Sequence, residues 1–529
     1  MPLNTFGKLQ TKTFTGAAGV IAFFTLMSRI LGLVRDMVLA SFFGSGMAAD
    51  AFFVALRIPN LLRRLFAEGS LTIAFIPVFT EYLTLKSKED AFELARIVFT
   101  VLSLILVVVT ILGILFAPWI VRIQAFGFGG SGIKYELTVL LTRITFPYIF
   151  FIGIVAFFMG VLNSLRHFAA PAAAPILLNV GIIGAAYFIS PHCAEPIVGV
   201  AMGIILGGVL QVALQIPWVY GAGLRLFPIW KPFHPAVKRI GWLMLPAVFG
   251  SAVYQFNQFV GTLLASFLQE GSVSWLYYAD RLVQFPLGIF AIAIATAALP
   301  SLSADATLKN HEQFQKTLNH ALCLVFFISL PSTAGLLILG RPIVELLFQR
   351  GAFGAVSSVM TTDALVCYTL GLWAFSGMRV LIAAFYALQD TKTPVKVAVI
   401  ALGVNVISSL LLMGPLKHAG LALALSLTST VQFGLLAFFL RKKGLFIHAA
   451  PILKSVSKSL AATLVMGAVV FCCRIQWFYT TSTDALSERI LGLSALVLIG
   501  MVVYFFVARA LGCREIRAVS AMLGVNRAR

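Results

Sequence analysis

The chain has 529 residues, of which 60% are hydrophobic and only 11% are charged. An ordinary soluble domain has about 25% charged residues, so this composition excludes a soluble globular protein and indicates a polytopic membrane protein. The 39 basic residues against 19 acidic ones give a net charge of +20. In a membrane protein such an excess is typical of cytoplasmic loops, so we expect no nucleic-acid partner.

A membrane-spanning helix needs about 20 consecutive, mostly apolar residues. This length predicts fourteen spans and an all-α polytopic fold. In chain order the predicted spans cover 16–43, 47–82, 95–120, 137–163, 171–190, 196–220, 240–268, 273–301, 317–340, 359–388, 394–414, 418–440, 456–475 and 488–511. The second is too long for a bilayer at about 1.5 Å per residue, so it should kink, tilt or extend into the cytosol.

The basic residues are distributed unevenly between alternate loops. Loops on the side of the N-terminus carry roughly three times as many Lys and Arg residues as the others, and such an excess marks the cytoplasmic side. The asymmetry predicts an even number of spans with both termini in the cytoplasm.

The sequence also contains an internal repeat. The stretch LASFF at 39–43 returns as LASFL at 264–268, and Pro77 and Pro171 correspond to Pro300 and Pro394. All such pairs are offset by 221 to 225 residues. Spans 1–6 and 7–12 are therefore predicted to be two copies of one unit in the same orientation, as in transporters whose two lobes rock around a central site.

The repeat predicts four parts of the chain. They are an N-terminal lobe (1–220), a cytoplasmic linker (221–239), a C-terminal lobe (240–440), and spans 13 and 14 with a cytoplasmic tail (441–529).

Charged side chains concentrate in the first two spans. A charge at the bilayer centre costs at least about 2.5–3.5 kcal/mol on insertion scales, so such residues usually face a cavity or a partner. The charges predicted to lie inside the membrane in these spans are Arg29, Arg35, Asp36, Asp50, Arg57, Arg63, Arg64 and Glu68.

Two groups can be distinguished among the charges of these and later spans. Arg64 and Glu68 have the spacing of an i,i+4 pair, and Arg143 and Asp36 are also interpreted as structural. The other group is Arg29, Arg35, Arg63 and Arg281, which outnumber the nearby carboxylates. Because planar guanidinium groups suit bidentate binding of phosphate, the surplus predicts a central cationic cavity for a phosphate-bearing substrate.

Three stretches are specific enough to compare with known families: SRILGLVRDMVLASFFGSGMAADAFFVALRIPNLLRRLFAEGSLTIAFIPVFTEY, GSVSWLYYADRLVQFPLG and QDTKTPVK. They resemble the bacterial MurJ (MviN) family, the lipid II flippases of the multidrug/oligosaccharidyl-lipid/polysaccharide (MOP) exporter superfamily. The resemblance implies fourteen helices, in two six-helix lobes plus two more, and export of the undecaprenyl-diphosphate-linked peptidoglycan precursor. It also implies that spans 13 and 14 form a groove for the lipid tail.

The resemblance carries the family's binding positions onto Arg29, Arg35, Asp50, Arg63 and Arg281. It implies that the arginines engage the diphosphate and that Asp50 pairs with an arginine or changes partners between states. Where some members have a glutamate after the ADR motif, this chain has Gln284. We therefore expect no carboxylate-dependent role at that position.

The leading hypothesis is a lipid II flippase working by alternating access in the bacterial inner membrane. Two alternatives remain open: an exporter of another polyprenyl-diphosphate-linked oligosaccharide, and a membrane-embedded enzyme acting on a polyprenyl phosphate. We predict no catalytic residue, no metal site and no cofactor, with coupling to the membrane potential or an ion gradient. The predicted partners are lipid II and membrane lipids; the protein should function as a monomer, in association with the cell-wall synthesis machinery.

Overall fold

The computed structural model describes residues 4–64, 71–445, 449–480 and 486–517. In these ranges the regular structure is helical and contains no β-strand, which confirms the predicted all-α class. The helices are α1 (Asn4–Phe43), α2 (Met47–Leu62), α3 (Leu71–Leu85), α4 (Lys88–Leu115), α5 (Ala117–Gln124), α6 (Ile133–Thr145), α7 (Tyr148–Ser164), α8 (Ala169–Phe188), α9 (Pro196–Gly221), α10 (Pro235–Ser266), α11 (Ser272–Pro286), α12 (Ile292–Thr307), α13 (His311–Phe348), α14 (Ala355–Leu370), α15 (Leu372–Ala387), α16 (Lys392–Lys442), α17 (Ala449–Thr480) and α18 (Leu486–Ala510).

Many of these helices have the length and apolarity of membrane spans. Within the described ranges, 8 helical segments pass on length and composition, and α14 with α15, bent by 45°, makes a ninth. The segments are α4, α6 with α7, α8, α9, α13, α16, α17 and α18. The chain is therefore a multi-pass membrane protein.

The longest helix is interrupted in its middle. Helix α16 runs over 51 residues, but Lys417 has φ 50° and ψ −131°, two residues after Pro415. Neither angle is helical, and the proline removes a backbone donor, so the chain bends here. The break coincides with the predicted boundary between spans 11 and 12.

Residue contacts divide the chain into two compact units, Met1–Val273 and Ser274–Arg529. In the first unit α1 packs on α8, α8 on α9, α2 on α6, and both α7 and α10 on α3. The predicted lobe boundaries were derived from the sequence repeat, which reflects duplication. The two compact units are instead defined by which residues pack together. The boundaries at 220, 240 and 440 stay predictions.

Glycines allow a close contact between two helices of the first unit. A Cβ atom added to Gly181 of α8 would lie 2.7 Å from the Cα of Gly207 in α9, which is closer than a real side chain could stand. Small residues let helix backbones approach in this way inside a membrane, where van der Waals packing replaces the hydrophobic effect. The pair therefore fixes α8, on which α1 rests.

The second unit has two apolar cores. One is built from α12, α13, α15 and α16, and the other joins α17 and α18 to α13. Tyr504 of α18 is buried and donates a hydrogen bond to the backbone oxygen of Phe327 in α13 at 2.6 Å. The two C-terminal helices therefore dock on α13.

The loop between α15 and α16 is held by a carboxylate. Asp390 accepts hydrogen bonds from the backbone and hydroxyl of Thr393 at 3.0 and 2.6 Å, and pairs with Lys443 at 2.9 Å. Partial burial raises the pKa of Asp390, but the bonds from Thr393 and Lys443 outweigh it and hold the pKa well below its ordinary value. The ionised carboxylate thus ties this loop to the end of α16.

This arrangement predicts a pH-dependent contribution to stability. Because the pKa of Asp390 is depressed in the folded state, its contribution is complete above the unfolded-state pKa of about 3.9 and is lost progressively below it. We expect Asp390→Asn to lower the Tm at pH 7 and the difference from the wild type to shrink as the pH falls below about 4. A difference in Tm that stays constant over this range would contradict the assignment.

Candidate substrate-binding site

Two of the three charges in the middle of α1 form a buried ion pair. The Nε and Nη2 atoms of Arg35 donate to Oδ1 of Asp36 at 3.0 and 2.6 Å, and Nη1 donates to Oδ1 of Asn179 in α8 at 3.1 Å. Asp36 has no exposed surface and Arg35 has 9%. Asn179 also donates to the backbone oxygen of Ser28 at 3.2 Å. Arg35 and Asp36 therefore help to join α1 to α8, in keeping with the structural role predicted for Asp36.

Arg29, on the same helix, is in a different environment. Its side chain is exposed and makes no hydrogen bond or ion pair with any residue that the structure describes. Its neighbours Leu26 and Ile30 are exposed apolar side chains, 50% and 46% accessible. Six residues separate Arg29 from Arg35, about 9 Å along the helix axis. Because a guanidinium in an apolar span needs water or an anion, Arg29 is the arginine of α1 best placed for a ligand.

A third charged position lies at the start of α2. Asp50 is 1% exposed, and its Oδ2 accepts from Nζ of Lys134 at 2.8 Å and from the backbone nitrogen of Gly271 at 2.9 Å. Gly271 has φ +94°, in the left-handed region that favours glycine. Glu270 beside it accepts from the backbone nitrogen of Met47 at 2.7 Å. Two carboxylates thus meet the N-terminus of α2, where negative charge is favourable.

The resemblance implies an arginine as the partner of Asp50, whereas these contacts include a lysine. The ammonium group of Lys134 also lies over the ring of Phe128, 4.1 Å from its centroid. The carboxylate therefore ties α6 and the turn after α10 to α2.

The far end of α2 carries further arginines. Nε of Arg57 donates to the Thr262 hydroxyl of α10 at 2.8 Å, and Nε of Arg63 lies 3.4 Å from Oδ1 of Asn60. Arg63 is half-buried. It is 13 residues from Asp50, about 20 Å along the helix, so the structure does not bring these two candidates together. The predicted partner of Arg64, Glu68, lies within residues 65–70, outside the described ranges.

The remaining candidate, Arg281, belongs to the second unit. It is half-buried in α11, next to Asp280, whose Oδ1 is 3.4 Å from Nε2 of Gln284. An amide at this position donates a hydrogen bond and carries no charge. Helix α11 continues into a π-helical turn over Leu287–Ala291, a feature that occurs frequently at functional sites.

The ion pair between Asp50 and Lys134 can be tested by removing one charge at a time. We expect Asp50→Asn to destabilise the protein by about 3 kcal/mol, because it leaves the ammonium group without this carboxylate while the asparagine oxygen still accepts from Gly271. The measurement is thermal unfolding of the purified protein. Adding Lys134→Gln should recover part of the loss, and Glu136→Gln, which removes an exposed carboxylate on α6, is the matched control. Equal stability of Asp50→Asn and the control would exclude a structural ion pair.

The profile of the family described as "Lipid II flippase MurJ" matches residues 39–506, most of the chain. The chain belongs to the MurJ family. The "Probable lipid II flippase MurJ" of Vibrio cholerae is 37% identical over 503 residues, which cover 94% of this chain and 95% of that protein. The resemblance found in the motifs is therefore confirmed.

Solved structures agree with the MurJ assignment. The "Lipid II flippase MurJ, inward closed conformation" has a TM-score of 0.77 at 29% identity and covers 92% of this chain and 97% of its own. An inward-facing multidrug-resistance MATE transporter of the MOP superfamily has a TM-score of 0.69 at 17% identity, covering 80% and 98%. The second likeness shows the fold alone.

Sequence reasoning missed three residues that this MurJ-family chain uses around the candidates: Lys134, Asn179 and Glu270. Asn179 could have been found from the sequence, since a polar amide side chain inside the predicted span 171–190 indicates a hydrogen-bond partner. Lys134 had a weaker one, as a basic residue in a loop predicted to lie outside the cytoplasm. Glu270 had none, because its contact with Met47 joins residues 223 positions apart.

Proposed function

We propose that this chain is a lipid II flippase that moves the lipid-linked peptidoglycan precursor from the inner to the outer leaflet of the bacterial inner membrane. The observation that carries the proposal is similarity over almost the whole length to proteins named for this activity. Flippases are transporters and not enzymes, and the charged residues described above form no evident acid–base centre.

The headgroup would cross by alternating access while the lipid tail stays in hydrocarbon. The similar MurJ structure is described as inward closed and the similar MATE structure as inward-facing. Each description corresponds to one state of an alternating-access cycle, which supports this mechanism. In our proposal Arg29, Arg35, Arg63 and Arg281 bind the diphosphate in a cationic cavity. Arg29 has the strongest support, because its guanidinium is exposed within an apolar stretch.

Asp50 belongs to the proposed site in a different way. Its carboxylate is buried and bonded to Lys134 and Gly271, so direct contact with an anionic diphosphate would be repulsive. We propose that it exchanges these partners during the transport cycle.

We further propose fourteen spans. Ten follow if α16 is divided at Lys417 and the bent pair α14–α15 is counted as one span. The other four would be α1, α2 with α3, α10, and α11 with α12. Two six-helix lobes plus α17 and α18 then agree with the repeat, and the distribution of basic residues supports cytoplasmic termini.

The driving force we propose is the membrane potential or an ion gradient. Moving one elementary charge through 100 mV is worth about 2.3 kcal/mol, and the sequence has no GxxxxGK[ST] motif for a nucleotide. We propose that the protein acts as a monomer, in association with the cell-wall synthesis machinery.

A competition experiment tests the substrate. Purified protein in lipid nanodiscs would be titrated with labelled lipid II and then with other polyprenyl-diphosphate-linked oligosaccharides. We expect lipid II to be displaced by unlabelled lipid II and only weakly by the others. Equal displacement would favour the broader exporter, and covalent change of the labelled lipid would favour an enzyme.

A further inference from the structure

The segment between α9 and α10, residues 222–234, exposes an unusual set of aromatic side chains. Phe227 and Trp230 are each 60% exposed and Phe233 is 94% exposed. Water-exposed aromatic clusters are unfavourable, whereas Trp and other aromatic rings are enriched where a protein meets the lipid headgroups. The segment therefore has the composition of a membrane-interface element, although it is not a span.

Contacts with α4 give the depth of this segment. The backbone nitrogen of Ile229 donates to the Thr100 hydroxyl at 2.9 Å, while Lys231 pairs with Glu93 at 2.7 Å. Thr100 lies 7 residues beyond Glu93 along α4, about 10 Å further along the helix axis. It also lies beyond Arg96, the last charged residue of that helix.

The segment therefore reaches the apolar level of α4 at Ile229. Lys231 is two positions further on and reaches Glu93 with the Nζ atom at the end of its long side chain. Phe227 and Trp230 flank the contact at Ile229. Thr100 lies about 10 Å beyond Glu93, which is comparable with the 5–10 Å to which interfacial elements bury their apolar faces below the headgroups.

Basic side chains surround the aromatic ones. Lys231 pairs with Glu93 and fastens the segment to α4. Arg239, at the start of α10, pairs with Glu81 of α3 at 2.8 Å. Arg225 and Lys238 are exposed, and their side chains make no hydrogen bond or ion pair with any residue in the described part of the chain. Lys88 lies beside Gly223, its Nζ 3.8 Å from where a Cβ would stand.

We propose that residues 222–234, with Lys238, form a binding site for anionic glycerophospholipid on the membrane surface predicted to be cytoplasmic. Phe227 and Trp230 insert at the boundary between headgroups and acyl chains, and Arg225 and Lys238 bind the headgroup phosphate. A soluble protein partner fits less well, because Ile229, which lies between Phe227 and Trp230 in the sequence, contacts the apolar part of α4. The site does not depend on the transported substrate.

Tryptophan fluorescence tests the insertion. The full chain in nanodiscs of phosphatidylcholine would be compared with nanodiscs that contain lipid with brominated acyl chains, which quench nearby indoles. Subtracting the fluorescence of Trp230→Phe from that of the wild type gives the fluorescence of Trp230, which we expect the brominated lipid to quench strongly. Trp275→Phe, which removes a tryptophan that is only 6% exposed, is the control and should reveal a weakly quenched residue. An unquenched Trp230 would overturn the proposal.

Lipid selectivity tests the headgroup contacts. Each basic residue near an anionic surface contributes roughly fivefold to affinity, so Arg225→Gln/Lys238→Gln should bind phosphatidylglycerol about 25-fold more weakly. Native mass spectrometry of the purified protein would measure the phosphatidylglycerol retained, with phosphatidylcholine as the neutral lipid. Lys392→Gln/Lys396→Gln removes two exposed lysines elsewhere and should retain as much as the wild type. Equal retention by the two double variants would overturn the headgroup site even if Trp230 is quenched.

Discussion

Replacing Arg29 by alanine should abolish translocation of lipid II while leaving the protein folded. The side chain of Arg29 is exposed and contributes no hydrogen bond or ion pair to the described structure, so its removal breaks no such contact there. A charge-assisted hydrogen bond is worth about 1.5–3 kcal/mol, and a bidentate contact with the diphosphate would contain two. We therefore expect a loss of about 100-fold or more in the rate at limiting substrate.

The measurement is transfer of labelled lipid II across vesicles that contain equal amounts of inserted protein. Arg29→Lys should recover only part of the activity, because lysine keeps the positive charge but lacks the planar guanidinium that binds phosphate through two hydrogen bonds. Arg122→Ala removes another exposed arginine from the same unit and should transport normally. Normal transport by Arg29→Ala would remove Arg29 from the site.

Replacing Arg35 by methionine should instead destabilise the protein. Asp36 is completely buried and would lose two hydrogen bonds from the guanidinium, while Asn179 would lose one. Breaking a buried ion pair by removing one partner costs about 3–5 kcal/mol, because a charge is left without compensation. Thermal unfolding should show a large decrease in Tm.

A double variant separates stability from transport. Arg35→Met/Asp36→Leu removes both charges, and replacing a buried pair by apolar residues is often neutral for stability. We expect the Tm to recover while transport remains lost, because the proposed site requires the guanidinium of Arg35. Recovery of both properties would make Arg35 a structural residue and leave Arg29, Arg63 and Arg281 as the candidates.

The fold class could be predicted because the bilayer restricts it so strongly. A chain that is 60% hydrophobic must satisfy its backbone groups within helices, and the break at Lys417 follows from the local sequence around Pro415. The two contact units could not be predicted, since they depend on which helices pack together. The repeat identifies duplicated segments and not their packing.

The candidate charges could be located from the sequence, but their pairing could not. Seven-residue spacing places Arg29 and Asp36 on one face of α1, yet Asp36 pairs with its neighbour Arg35. The reason is the packing of α1 on α8, which buries Asp36 and presents Asn179 to Arg35. Likewise Lys134 is 84 positions from Asp50, and such long-range contacts depend on the tertiary fold.

The most direct test of the central claim is translocation by the purified wild-type protein. Vesicles would carry labelled lipid II in one leaflet, and its appearance in the other would be followed after a membrane potential or an ion gradient is imposed. The account predicts transfer faster than in protein-free vesicles, inhibited by unlabelled lipid II and lost in Arg29→Ala. Correctly inserted protein that transfers no lipid II would contradict the account.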